Sequence, residues 1–151
     1  MIVVDTMVLS EPFKPKPNPS VINWLNQQVP TDLFVTTINQ AEMEYGLWAM
    51  PEGKRRVQLH RGITELFEVD FSGRILPFDS KAALMFGTNI APARQKHGKD
   101  SIKDMDGMIA AIAISHDRCR VATRDRRPFE LIGVEVIDPW SEHIQNEGAD
   151  Q

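Results

Sequence analysis

The chain has 151 residues, of which 42% are hydrophobic and 25% charged, with a formal net charge of −4. That is enough sequence for one domain with its own core, and the mixture excludes disordered, collagen-like and coiled-coil chains. One cysteine excludes an internal disulfide framework and a multi-cysteine zinc site, and the longest apolar run, Met108 to Ile114, is far too short to cross a membrane.

The elements follow in chain order. Ile2-Val3-Val4 is a short β-branched run that reads as a buried strand ending at Asp5. The start, MIVVDTM, has no basic stretch of the secretory type, so a cytoplasmic protein is expected. Pro12 to Pro19 reads as a rigid connector within the fold. Ser20 to Gln28 reads as a helix with Val21, Trp24 and Leu25 on one face, and Leu33 to Thr36 as a second strand. A helix is expected from Ile38 to Met50, capped by Thr37, with Ile38, Ala41, Tyr45 and Trp48 inward. Gly53 to Glu68 suggests another helix, Arg74 to Phe78 a third strand, and Ser80 to Gln95 a further helix. Ile102, Met105, Ile109 and Ile112 mark one more, whose apolar centre is expected to be buried all round. Arg120 to Thr123 and Val134 to Ile137 complete the strands. Residues 1–144 are expected to form a single domain, and 145–151 a disordered polar tail.

Strands alternating with helices predict an α/β fold around a mostly parallel sheet. Ligands of such sheets bind beyond the carboxyl ends of the strands. Asp5 ends the first strand and Asp125 follows the strand from Arg120, so both fall at that edge. Either alone reads more readily as a turn residue or helix cap. Glu42 follows the second strand on its helix, and Asp106 opens the apolar helix. Glu44 and Asp104 are near substitutes, and Asp106 is preferred because it lies closest to the buried turn.

Carboxylates converging on one edge raise one another's pKa values and call for a cation. Oxygen-only ligands suit a hard ion, Mg²⁺ or Mn²⁺, whose remaining partner is commonly phosphate. Basic residues cluster in the same part of the chain: 94–127 holds nine Lys and Arg against five Asp. Other chemistries fit worse. The sequence has no GxxxxGK[ST] or GxGxxG loop, no HExxH and no GxSxG. Cys119, beside a strand, reads as a small hydrophobe.

DTMVLSEP, the AE of INQAEMEYG, GRILPFD, DGMIAAIA and VATRD occur in this order and spacing. With them the chain resembles the PIN-domain ribonucleases, specifically the VapC toxins of type II toxin–antitoxin systems, in their FitB-like branch. The resemblance implies a three-layer α/β/α fold with a five-stranded parallel sheet. It also implies an acidic quartet of Asp5, Glu42, Asp106 and Asp125 that binds Mg²⁺ or Mn²⁺ and hydrolyses RNA. Asp5 and Asp106 are the expected direct metal ligands, with Glu42 and Asp125 completing the set. Thr6 and Thr123 are expected to orient a ligand or water, and Arg124, Arg126 and Arg127 to hold RNA phosphates. Water as the nucleophile implies 5′-phosphate and 3′-hydroxyl ends. The implied partners are a second copy, a DNA-binding VapB-like antitoxin and, through it, operator DNA, with no membrane. Trp24, Tyr45, Trp48 and Phe67 exceed what one sheet core takes up, and part of that aromatic surface is expected to be covered by a partner. Two positions depart from the pattern. Met7 stands where many relatives have an asparagine, and Pro128 precedes Phe129 where many have an acid. The alternatives are an inactive PIN-fold scaffold or nucleic-acid adaptor, and a metal-dependent DNA nuclease.

Overall fold

A computed structural model describes residues 1–141; the expected tail at 145–151 lies outside them. Five strands form one parallel sheet in the order β3-β2-β1-β4-β5. They are β1 (Ile2–Val4), β2 (Leu33–Thr36), β3 (Ile75–Leu76), β4 (Arg120–Ala122) and β5 (Val136–Ile137). Register is set by Ile2 against Leu33 and Val3 against Val121. The two outer strands are shorter than their sequence runs. Only Ile75 and Leu76 of the expected third strand pair with β2, with Pro77, which has no N–H to donate, directly after them.

The helices are α1 (Thr6–Ser10), α2 (Pro19–Gln27), α3 (Thr37–Ala49), α4 (Lys54–Glu65), α5 (Ser80–Met85), α6 (Ala91–His97), α7 (Asp104–Ile114) and α8 (Arg127–Glu130). The expected helix from Ser80 is one rod in which a wider π turn, Phe86–Ile90, joins α5 to α6. Pro92 lacks an N–H and its ring crowds the preceding carbonyls, which accounts for the widened turn just before it.

Alternation along the strands sends side chains to two cores. Ile2, Val4, Leu33, Val35 and Ala122 pack under α1 to α4. Val3 and Val121 pack under α7 and α8 with Ile109, Ala110, Ala113 and Phe129. This is the expected three-layer α/β/α architecture. α7 is buried over most of its length because α5 and the π turn cover its outer face, with Phe86, Ile90 and Ile102 around Gly107. Gly107 makes that approach possible: a Cβ there would stand 3.0 Å from the Phe86 ring.

The face of α3 differs from the sequence reading. Its buried positions are Asn39, Met43 and Leu47, whereas Tyr45 and Trp48 are 79% and 57% exposed. The cap is Thr36 rather than Thr37. The Thr36 hydroxyl accepts from the Asn39 N–H, and the Asn39 side chain accepts from the Thr36 N–H. The Thr37 hydroxyl instead accepts from the Phe78 N–H.

Candidate active site

The chain lays down β1, β2 and β3 outward on one side, then returns to place β4 against the other side of β1. Strand order therefore reverses between β1 and β4, which is where a parallel α/β sheet opens a crevice at its carboxyl edge. Asp5 is the first residue beyond β1. Its N–H continues the ladder to the Ala122 carbonyl at 2.9 Å, while its carbonyl accepts the first bonds of α1. Asp5 is thus the N-cap of α1 and a residue of the crevice at once.

The Asp5 side chain is 5% exposed. Oδ1 accepts the Thr6 N–H at 2.8 Å and Oδ2 accepts the Thr123 hydroxyl at 2.7 Å. A carboxylate offers about four acceptor positions, so these two bonds fix it and leave lone pairs free. Burial pushes its pKa up, and Asp125 adds to this; the Thr123 and Thr6 bonds oppose it. Thr123 holds the other side of the crevice too, its hydroxyl accepting the Asp125 N–H at 3.1 Å.

Glu42 reaches the same place from α3. Its Oε1 accepts the Thr6 hydroxyl at 2.9 Å, and Thr6 Oγ1 accepts from Asn39 Nδ2 at 3.0 Å. Asn39 is fully buried, and its side-chain oxygen accepts from both the N–H and the hydroxyl of Thr36. With the Asn39 amide donating to Thr6, the Thr6 proton is directed at Glu42. Burial, then Asp5, raises the Glu42 pKa. Asn39 is the residue that the sequence reading missed. Its only local signal was the capping pattern Thr36-x-x-Asn39.

Asp106 lies in the first turn of α7, where the helix dipole favours a carboxylate. Its pKa is nevertheless pushed up to about 6, first by burial, then by Asp5, Asp125 and Glu42, with Lys103 opposing. Asp5, Asp125 and Glu42 thus all lie near enough to Asp106 to raise its pKa. Their near substitutes are engaged elsewhere: Asp104 pairs with Arg94 at 2.8 Å, and Glu44 accepts the Trp48 indole N–H at 3.0 Å.

Among the described residues, no three acid, His or Cys side chains stand close enough to hold one ion between them. The set is open rather than a closed cage. It still fits a hard divalent ion by donor chemistry, since Mg²⁺ takes one or two carboxylates and fills its remaining positions with water and phosphate. Of the three arginines, Arg124 lies over the Trp140 ring at 5.4 Å and Arg126 pairs with Glu130 at 2.8 Å. Arg127, exposed at the start of α8, has no ion pair among the described residues. Met7 is 44% exposed on α1 and makes no side-chain hydrogen bond among the described residues.

A cavity of ≈ 250 Å³ adjoins the crevice, lined by Phe13, Met43, Leu47, Leu59 and Ile63 and bordered by Thr6 and Glu42. Phe13 sits tightly against α4, within 2.6 Å of where a Cβ on Gly62 would be.

The PIN domain profile matches residues 2–134. The chain belongs to the PIN-domain family. It is 41% identical to VapC ribonuclease Y4jK of Sinorhizobium fredii over 140 residues, 93% of this chain and 98% of that protein. It is 39% identical to Toxin FitB of Neisseria gonorrhoeae, covering 93% and 99%. A solved structure of FitAB bound to an IR36 DNA fragment superposes with a TM-score of 0.86 at 39% identity, over 95% of this chain and 99% of that one. No helix among the described residues is long and apolar enough to cross a membrane.

Proposed function

We propose that this chain is an Mg²⁺- or Mn²⁺-dependent endoribonuclease, the toxin of a type II toxin–antitoxin pair, acting on RNA phosphodiester bonds. The observation that carries the reading is the buried Asp5 carboxyl, held by neutral donors near Glu42, Asp106 and Asp125, with no cation bonded to it among the described residues. Asp5 and Asp106 would hold the ion directly, and Glu42 and Asp125 would complete the set through water. The bound ion would supply Lewis-acid activation of water and of the scissile phosphate. The chain's own part is to hold the acids still: Thr123 and the Thr6 N–H orient Asp5, and the Asn39–Thr6 relay orients Glu42. Arg127 is the arginine most available to an RNA phosphate. The VapC ribonuclease relative supports the reaction class.

A DNA-binding antitoxin of the VapB type is the partner that this reading calls for, acting on operator DNA as a complex; the FitAB–DNA structure supports it. Inhibition is by charge. A basic side chain of the antitoxin, arginine by preference, enters the crevice in place of the metal ion, because unneutralised clustered acids are costly. An apolar side chain of the same segment can fill the cavity beside Glu42. The exposed Tyr45 and Trp48 suit a second copy of the chain.

The test uses free protein, RNA and single-stranded DNA in chelator and in Mg²⁺ or Mn²⁺, with sequencing of the ends produced. Metal-dependent RNA cleavage leaving 5′-phosphates is expected. Cleavage of DNA alone would move the substrate class, and no cleavage of either would favour the scaffold.

A further inference from the structure

Asp104 and Asp106 belong to one short stretch, Lys103-Asp104-Met105-Asp106-Gly107, and both lie in the first turn of α7. Residues two apart on a helix face away from each other. Which of them meets Asp5 depends on how α7 begins, and that depends on the turn leading into it. α6 ends at Gly98, whose φ of +105° reverses the chain at a position favouring glycine. Ser101 folds back, its N–H and hydroxyl both donating to the Gly98 carbonyl at 3.1 and 2.7 Å. Ile102 then drops into the core against Ile90 and Ala93.

Arg94, in the last turn of α6, closes this loop. Its Nε and Nη2 donate to the Ile102 carbonyl at 2.9 and 2.6 Å, and Nη2 also donates to Asp104 Oδ1 at 2.8 Å. The Ile102 carbonyl precedes α7, whose opening bond runs from the Gly107 N–H to the Lys103 carbonyl at 2.9 Å. One planar guanidinium thus holds the backbone ahead of α7 and the first acid on it. A lysine has no such fork.

We propose that Arg94 is a positioning residue for the acidic centre. It fixes the turn before α7 and keeps Asp104 as its own counter-ion, so that Asp106 is the aspartate presented to Asp5, Glu42 and Asp125. This rests on the reading of that centre as a metal-dependent nuclease site.

The experiment compares wild type, Arg94→Ala, Arg94→Lys, Asp104→Asn and Asp106→Asn as purified full-length protein. It records kcat and KM for RNA, and the Mn²⁺ concentration at which the thermal midpoint is half shifted. Arg94→Ala is expected to lose about tenfold in kcat, as when a group orienting a ligand is removed, with KM little changed and a higher Mn²⁺ midpoint. Arg94→Lys falls between it and wild type, and carries the comparison if the alanine variant does not fold. Asp104→Asn stays close to wild type in all three, because both bonds to the Ile102 carbonyl remain. The proposal is overturned if Arg94→Ala melts lower but keeps its kcat and Mn²⁺ midpoint, since Arg94 would then be structural only. It is also overturned if Asp104→Asn is as inactive as Asp106→Asn. A wild type with neither cleavage nor a Mn²⁺ response fells the nuclease reading and this inference together. A responsive wild type matched by both Arg94 variants fells the inference alone.

Discussion

Asp5 and Glu11 stand at opposite ends of α1 and are buried almost equally, at 5% and 3% exposure. They differ in what the fold gives them. The Glu11 carboxylate has the Lys14 ammonium at 2.8 Å on one oxygen and the Asn18 N–H at 2.8 Å on the other, and Lys14 holds its pKa below the ordinary value. Asp5 has two neutral donors and other acids in front of it, and its pKa goes up. Similar exposure therefore does not mean similar charge: at Asp5 burial is the leading influence and raises the pKa, whereas at Glu11 the Lys14 cation comes first and outweighs burial. Glu11 ties down the proline-rich segment with a cation from its own chain. Asp5 sits where the sheet's crevice opens, and among the described residues no cation of the chain pairs with it; on the proposed reading its cation comes from solution.

The sharpest break between the two should be in activity. Asp5→Asn and Asp106→Asn are expected to lower RNA cleavage by roughly two to three orders of magnitude or more, the scale of removing a preorganised charged group. In chelator their melting temperatures should equal or exceed wild type, because each change removes a repelling charge at nearly constant shape. A variant that melts well below wild type would make that acid a structural cap first. Asn39→Ala should come next. Losing the bond that aims Thr6 at Glu42 is expected to cost about 10- to 100-fold in cleavage, as for groups that orient metal ligands. It should also cost about 1–3 kcal/mol of stability, because the Thr36 donors lose their acceptor.

Glu11→Gln should do the reverse of the first pair, leaving cleavage per folded molecule intact while costing about 1–2 kcal/mol in a denaturant titration. The figure is that of a charge-assisted bond, reduced because Lys14 is largely in solvent.

The pH dependence sharpens the contrast. Asp106 holds its proton to about pH 6, against an ordinary value of 3.8. The native state thus keeps a proton that the unfolded chain releases. That stabilisation is whole below the unfolded value and is lost as pH rises through about 6. Asp5 and Glu42 act in the same sense. Glu11 acts oppositely: its contribution is present above its unfolded value and lost as pH falls through the lower folded one. Metal-free protein should therefore melt lower near pH 7.5 than near pH 5.5, and Asp106→Asn should flatten that difference while Glu11→Gln does not. The smallest effect belongs to Arg126→Ala, which breaks an exposed pair with Glu130 and should change stability by at most about 0.5 kcal/mol.

Asp5 and Asp125 were expected at the crevice because a strand's end can be read locally, and a parallel sheet places such ends at its binding edge; Glu42 and Asp106 lie on helices, and the family resemblance made the choice of Asp106 over Asp104 firmer. The inner strands β1, β2 and β4 were legible for the same reason, as β-branched runs closed by polar residues. The inward face of α3 was not. It buries Asn39 for its hydrogen bonds and exposes Tyr45 and Trp48, so hydrophobicity along the helix points the wrong way. Trp48 stays at the surface with Arg56 over its ring and His60 against its edge. α1 has five residues, too few to show a period. Asn39 and Arg94 act through contacts with Thr6 and Ile102 that only the folded chain creates.

The measurement closest to the central claim is a Mn²⁺ titration of chelator-stripped protein near pH 7.5, read by thermal melting, on wild type, Asp106→Asn and Glu11→Gln. A protein whose crevice takes its cation from solution should gain melting temperature with Mn²⁺ by mass action. Glu11→Gln should gain as much from its lower starting point, and Asp106→Asn little or nothing. Equal gains in wild type and Asp106→Asn, or none in wild type, would contradict the account.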